Sequence, residues 1–287
     1  MGQALACLAA WRPAPWRRRF RLRRGTLAWG LLLLAGSAAA QIRFQDIASR
    51  AGLKFELRNG ATGRFWQPEL MVAGVAAFDY NNDGCTDVFF VNGAALPSLK
   101  KTGPEFHNRL FRNNCNLTFT DVTAEAGVAG EGYSMAVAAA DYDNDGFTDL
   151  FVAGVNRNIL YRNLGNGRFE DVTGKARLAG LHPKYGKPWS ISAGWFDYDN
   201  DGWLDLFVSN YVVWAPETDP RCGTPENPFY CHPDKYPGLP CQLFRNLGNG
   251  TFADASEASG IARHLAKGMG VALSLIHISE PTRQAEI

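Results

Sequence analysis

One nine-residue pattern, rich in aspartate and with glycine at its sixth position, occurs three times in this chain. It reads Asp79-Tyr80-Asn81-Asn82-Asp83-Gly84-Cys85-Thr86-Asp87, then Asp141-Tyr142-Asp143-Asn144-Asp145-Gly146-Phe147-Thr148-Asp149, then Asp197-Tyr198-Asp199-Asn200-Asp201-Gly202-Trp203-Leu204-Asp205. The starts are 62 and 56 residues apart, and each copy runs into an apolar stretch. A second half-unit follows each copy: Arg109–Asn113 with Phe119–Thr123, Ile159–Asn163 with Phe169–Thr173, and Gln242–Asn246 with Phe252–Ser256. Repetition at this spacing requires a fold assembled from one supersecondary unit used several times.

Each unit reads as four short strands. Val75–Phe78 and Val88–Val91 flank the first acidic loop as a hairpin, and Leu160–Arg162 and Phe169–Val172 flank Asn163-Leu164-Gly165-Asn166-Gly167. Asn166-Gly167 and Asn249-Gly250 suit a two-residue type I′ turn, whereas the first unit has Cys115-Asn116-Leu117 there. The expected fold is all-β, a β-propeller of four-stranded antiparallel blades with about three blades in these residues. A parallel β-helix is the runner-up, but its rungs are far shorter. Phe44–Ala48 reads as an orphan copy of the last strand, and Met269–Leu273 as the opening of a fourth unit, by analogy with Met135–Ala139.

The acidic loops have the chemistry of calcium sites. Hard Ca²⁺ takes six to eight oxygen ligands, and glycine at position six permits the sharp turn that makes side chains converge. Positions one, three, five and nine supply side-chain oxygens: Asp79, Asn81, Asp83 and Asp87; Asp141, Asp143, Asp145 and Asp149; Asp197, Asp199, Asp201 and Asp205. Position seven offers a backbone carbonyl, from Cys85, Phe147 and Trp203. These are not EF-hands, because position twelve is Phe90, Val152 or Val208 instead of a bidentate Glu. Aspartate and asparagine also form turns unaided. Three copies, each crowding three or four carboxylates, are costly without a cation. Asn81 gives the first loop one carboxylate fewer, so it should bind more weakly. A closed set of protein oxygens with no nucleophile nearby points to a structural role.

The repeats resemble FG-GAP or VCBS repeats, the blade unit of integrin-alpha-type propellers. Gln67–Tyr80 together with Phe89-Phe90-Val91-Asn92-Gly93 is similar to bacterial relatives of the cartilage acidic protein (ASPIC/UnbV) family. The resemblance covers about residues 42–272. It implies a seven-bladed, calcium-stabilised, secreted propeller used in adhesion or binding, with the ASPIC/UnbV domain expected beyond these residues.

The two ends read differently from the body. Arg17–Arg24 is basic, Leu27–Gly36 is apolar, and Ala38-Ala39-Ala40 offers cleavage before Gln41, so residues 1–40 are expected to be a secretory signal. The alternative is an uncleaved N-terminal anchor. No apolar run reaches the roughly eighteen residues of a spanning helix, so no membrane span is expected in the mature chain. Leu273–Arg283 resembles the conceptual translation of a transposon-end sequencing adapter, so 273–287 is expected to be non-native and 41–272 a partial propeller. The alternative is a genuine short tail. Seven of the 29 basic residues lie in 1–40, which holds no acid, so the remainder carries 22 basic against 28 acidic residues, a net of −6. An acidic body argues against nucleic-acid binding.

Cys7 leaves with the signal. Cys222 and Cys231, in the Pro-rich insertion 216–240, are the first candidates for a disulfide, and Cys85 could pair with Cys115. Cys241 could replace either cysteine of the insertion. His107, His182, His232 and His264 share no motif. Asn116-Leu117-Thr118 and Asn249-Gly250-Thr251 are glycosylation sequons whose place in hairpin turns suffices to explain them. Trp189, Trp195, Trp203 and Trp214 cluster around the third unit and read as core. The leading expectation is a non-enzymatic binding or adhesion protein, secreted, periplasmic or at the cell surface. Loops 94–107 and 214–240 would meet an extracellular protein or glycan. The alternatives are a propeller-based extracellular hydrolase or lyase, with its active site in other blades or the central channel, and a structural surface element.

Overall fold

The computed structural model describes residues 44–272. The expected signal, Cys7, its cleavage site and the adapter-like tail lie outside the described residues. The repeated halves form three four-stranded antiparallel sheets. The first sheet contains β1 (Gly74–Phe78), β2 (Asp87–Val91), β3 (Arg109–Asn113) and β4 (Phe119–Asp121), paired in that order. The second contains β5 (Tyr133–Ala140), β6 (Asp149–Val155), β7 (Ile159–Asn163) and β8 (Phe169–Asp171). In the third, β9 (Ser190–Phe196) and β10 (Asp205–Asn210) come first in the chain. The insertion follows with β11 (Cys222–Thr224), β12 (Asn227–Phe229) and β13 (Leu239–Pro240). The sheet is completed by β14 (Gln242–Asn246) and β15 (Phe252–Asp254), in the order β9-β10-β14-β15. A short β16 (Leu265–Ala266) pairs with β13. The first strands β1, β5 and β9 pack side by side, so the sheets stack in succession.

The sequence of β6 shows why the sheets stack. All seven of its residues are buried. Leu150 and Val152 face a core shared with Phe89, Val91 and Leu110 of the first sheet. Phe151 and Ala153 face a second core, with Leu206, Val208, Phe244 and Phe252 of the third. A strand sandwiched between two neighbours needs both faces apolar, hence its unbroken hydrophobic run. Each fully buried Leu or Phe contributes about 1.5–3 kcal/mol.

A second device repeats after the fourth strand. Asp121 Oδ1 accepts the Thr123 N–H at 3.0 Å, and Thr123 Oγ1 accepts the Leu110 N–H at 3.0 Å. Asp171 with Thr173, and Asp254 with Ser256, do the same. The first two copies start one-turn helices, α2 (Thr123–Ala126) and α3 (Thr173–Ala176). The Phe44–Ala48 copy keeps this turn, since Asp46 Oδ1 accepts the Ala48 N–H at 2.9 Å and opens α1 (Ala48–Ala51). It does not form the expected strand, because no third strand pairs with it among the described residues. Residues 269–272 hold no strand, and the rest of the expected fourth unit lies outside the described residues.

The turn between third and fourth strands also differs from the type I′ expectation. Positive φ falls at Gly165 and Gly167 (68° and 81°) and at Gly248 and Gly250 (67° and 79°), and neither Asn166 nor Asn249 has it. The asparagines instead accept from the residue two ahead, Arg168 N–H and Thr251 N–H. In the first sheet, Cys115 and Leu117 occupy the two left-handed positions (60° and 61°). Asn116 Oδ1 accepts the Thr118 N–H, so the turn reading of both sequons holds.

At the ends of the sheets remote from the acidic loops, the connections build a third core. It holds Trp66, Tyr133, Met135, Trp189, Tyr211 and Trp214, among others. Trp189 and Trp214 are therefore core residues, as expected, and Trp195 packs on the core between the second and third sheets. Cys222–Cys231 and Cys85–Cys115 are disulfides, and Cys241 is free. Among the described residues no helix is long and apolar enough to cross a membrane.

Candidate metal centres

The three acidic loops join β1 to β2, β5 to β6 and β9 to β10. Their backbones close on themselves in one way. The position-one carboxylate accepts two N–H groups across the turn: Asp79 from Asp83 and Gly84 (3.2 and 2.7 Å), Asp141 from Asp145 and Gly146 (3.1 and 2.9 Å), Asp197 from Asp201 and Gly202 (3.1 and 2.9 Å). The position-five carboxylate accepts the N–H of position seven, from Cys85, Phe147 or Trp203. The glycine at position six has φ near 86° in each loop, which a side chain would strain.

The position-nine aspartates are the deepest. Asp87, Asp149 and Asp205 are fully buried. Each accepts the N–H of position two and that of the asparagine ending the third strand. Asp149 takes Tyr142 N–H at 3.1 Å and Asn163 N–H at 2.7 Å, Asp87 takes Tyr80 and Asn113, and Asp205 takes Tyr198 and Asn246. Burial pushes the Asp149 carboxyl up to about 8; the two backbone donors oppose the shift, and Asp143 and Asp145 add to it. Burial also raises Asp87, Asp205 and Asp143, the last against the pull of Arg162.

Two groups of three carboxylates result. Asp141, Asp143 and Asp149 place one oxygen each within 4.8 Å of the others, and so do Asp197, Asp199 and Asp205. These are positions one, three and nine. Asp145 and Asp201 stand outside the groups. The first loop has no such trio of carboxylates: the grouping there is Asp83 with the sulfurs of Cys85 and Cys115, which are bonded to each other. The oxygen at position three is the telling atom. Asn81 Oδ1 and Asp143 Oδ1 are both buried without a hydrogen-bond partner. A buried acceptor left unpaired is costly, and a cation is the partner an oxygen-only cluster suits. The residues present therefore fit a hard divalent ion.

Sequence reasoning missed the arginines. Arg162 Nε lies 2.6 Å from Asp143 Oδ2, and its Nη2 lies 3.0 Å from Asp145 Oδ2. Arg245 repeats this on Asp199 and Asp201 at 2.6 and 3.2 Å. In the first loop Asn81 Nδ2 donates to Asp83 Oδ2 at 2.8 Å, and Arg112 lies against the Tyr80 hydroxyl. The recurring Arg-Asn pair at the end of each third strand (Arg112-Asn113, Arg162-Asn163, Arg245-Asn246) was the available signal.

Residues 79–152 and 141–208 match the FG-GAP-like repeat, so this stretch of the chain carries FG-GAP-like repeats. More particularly, the chain is distantly similar over about half its length to cartilage acidic protein 1. The mouse (Mus musculus) protein is 30% identical over 175 residues, 59% of this chain and 22% of that protein. The Xenopus tropicalis protein is 28% identical over 152 residues, 51% of this chain and 21% of that protein. The human protein is 29% identical over 143 residues, 48% of this chain and 19% of that protein. The chain thus spans about a fifth of the length of these curated relatives. A solved Agrocybe aegerita lectin that recognises non-reducing terminal N-acetylglucosamine overlaps 64% of this chain and 38% of its own, at 17% identity. Its TM-score of 0.32 is too low to bear on fold or ligand.

Proposed function

We propose that this chain is part of a secreted or cell-surface binding and adhesion protein, non-enzymatic, whose repeats are blades of a calcium-stabilised β-propeller. The observation that carries the reading is the trio of carboxylates at positions one, three and nine of the second and third loops, joined in the second by the buried, unpartnered Asp143 Oδ1. Calcium there would supply charge neutralisation and pin each hairpin, held by Asp141, Asp143 and Asp149 in one loop and Asp197, Asp199 and Asp205 in the next. Asp79, Asn81 and Asp87 would hold it more weakly in the first. The paired cysteines suit an oxidising compartment. A cavity of about 850 Å³ among the connecting segments, walled in part by Ser98–Lys101, His107 and Arg157, suits a binding role and takes in part of the loop 94–107. The ligand would be an extracellular protein or glycan.

Titration calorimetry of the chelator-treated protein tests the reading. Calcium should bind at two sites, with a weaker third, and raise the melting temperature. No heat and an unmoved melting curve would sink it.

A further inference from the structure

We propose that neighbouring acidic loops are coupled through asparagine side chains, so that a cation in one loop raises the affinity of the next. The inference rests on the calcium reading above and concerns how these residues position one another. Position four of every loop is an asparagine with left-handed φ: Asn82, Asn144 and Asn200, at 57°, 57° and 58°. Asparagine tolerates that region, which explains the residue type but not where its amide goes. Asn82 Nδ2 donates to the Gly146 carbonyl of the second loop at 2.9 Å. Asn144 Nδ2 donates to the Gly202 carbonyl of the third at 3.3 Å.

A return link crosses each junction. Asn163 Nδ2 donates to the Tyr80 carbonyl at 2.7 Å, and Asn246 Nδ2 to the Tyr142 carbonyl at 2.8 Å. The same asparagines donate their backbone N–H to Asp149 and Asp205, at 2.7 Å each. Tyr142 and Tyr80 in turn donate their N–H to Asp149 and Asp87. One unbroken path therefore runs Asp205, Asn246, Tyr142, Asp149, Asn163, Tyr80, Asp87. It visits the deepest carboxylate of all three loops. A cation that fixes Asp205 also fixes Asn246 and, through the Tyr142 carbonyl, the backbone of the residue whose N–H faces Asp149. The second loop is then ordered before its own ion arrives, and less ordering cost remains to oppose binding. Plain adhesion between sheets would use the same bonds but would leave the ion affinities independent.

The test is a cycle read by calcium calorimetry on the whole chain, with Asp79→Ala throughout to silence the first loop. Asp197→Ala then disables the third loop, and the affinity of the second is measured with and without it. The expected result is a loss of roughly fivefold or more at the second loop when the third is disabled. That loss should shrink toward none in Asn144→Gly, which keeps the left-handed turn and deletes the amide. Asn246→Ala is the second variant: it keeps the backbone N–H to Asp205 and removes the link to Tyr142. Second-loop affinity indifferent to Asp197→Ala, or a loss unchanged by both asparagine variants, overturns the coupling and leaves calcium binding standing. Absence of calcium heat at every loop overturns both.

Discussion

The first acidic loop and the second follow one backbone course but are fastened by different chemistry. In both, position one closes the turn and a buried position nine ties the loop to the third strand. They part at positions three and seven. The second loop has Asp143, held by Arg162, and Phe147, whose ring packs on Gly165: a Cβ there would come within 2.7 Å of it. The third copies this with Trp203 on Gly248. The first loop has Asn81, which donates to Asp83, and Cys85, which is bonded to Cys115. Cys115 holds the left-handed position that Gly165 holds, and a non-glycine residue there is strained. The loop must be fastened to the turn behind it, and the chain does so by ring-on-glycine packing in two sheets and by a covalent bond in one. The loop with the bond is also the one without the carboxylate trio.

Deleting the deep carboxylate should have the largest effect. Asp149→Ala strands the buried N–H groups of Tyr142 and Asn163, each costing about 1–3 kcal/mol. Loss of about 3 kcal/mol or more is expected in calcium, seen as a fall in the denaturation midpoint. Asp87→Ala strands the equivalent pair, Tyr80 and Asn113, so in chelator the two variants should match. In calcium Asp149→Ala should lose more. Equal losses in both conditions would erase the distinction between the loops. Next comes the bond itself. Removing Cys85–Cys115, which closes a separation of 30 residues, should cost about 3–4 kcal/mol by chain entropy. The exchange Cys85→Phe with Cys115→Gly should recover part of that, measured by melting, because it installs the fastening of the second loop. No recovery would mean the two fastenings are not interchangeable.

The features legible in the sequence were those that repeat within one hairpin. The acidic loops, their flanking strands and the four-strand unit follow from residues adjacent in the chain. The turn type was misread because Asn166-Gly167 signals a two-residue turn, while Gly165 also takes positive φ and makes the connection longer. Arg162 was passed over as a site residue because it reads as a strand residue, and its partners Asp143 and Asp145 sit in the loop that joins β5 to β6. Asn82 reads as an ordinary turn asparagine, and its acceptor is 64 residues away in the next repeat. The linking asparagines recur in every unit, but nothing beside them in the sequence names their acceptors.

Acidity offers a smaller and signed test. Asp149 is raised to about 8 from its ordinary 3.8, so without metal the fold favours its protonated form. The stability this contributes is full below about pH 4 and is lost as pH rises toward 8. In chelator the melting temperature should therefore fall by several degrees across that window, while calcium, which competes with the proton, should stabilise more as pH rises. Asp149→Asn should flatten the chelator slope. A chelated protein whose stability rises between pH 5 and 8, with the slope untouched in Asp149→Asn, would remove that carboxyl from the account.

The mildest substitution reaches the heart of the difference. Asn81→Asp gives the first loop the carboxylate that Asp143 gives the second. Asn81 Oδ1 is already buried and unpartnered, and the new oxygen would take the place of Nδ2, which now lies 2.8 Å from Asp83 Oδ2. The change removes the hydrogen bond that the Asn81 amide donates to Asp83 and adds a negative charge near Asp79, Asp83 and Asp87, which should destabilise the chelated protein slightly. With calcium the added charge should raise first-loop affinity by roughly tenfold, about 1.4 kcal/mol. Arg112 occupies the place in its strand that Arg162 and Arg245 occupy in theirs. If it turns from Tyr80 to the new carboxylate as they do, part of the gain is offset and the chelated protein recovers. Calorimetry in an Asp141→Ala, Asp197→Ala background isolates this loop. Unchanged or weaker affinity would show that the disulfide, not the missing carboxylate, is what sets the first loop apart.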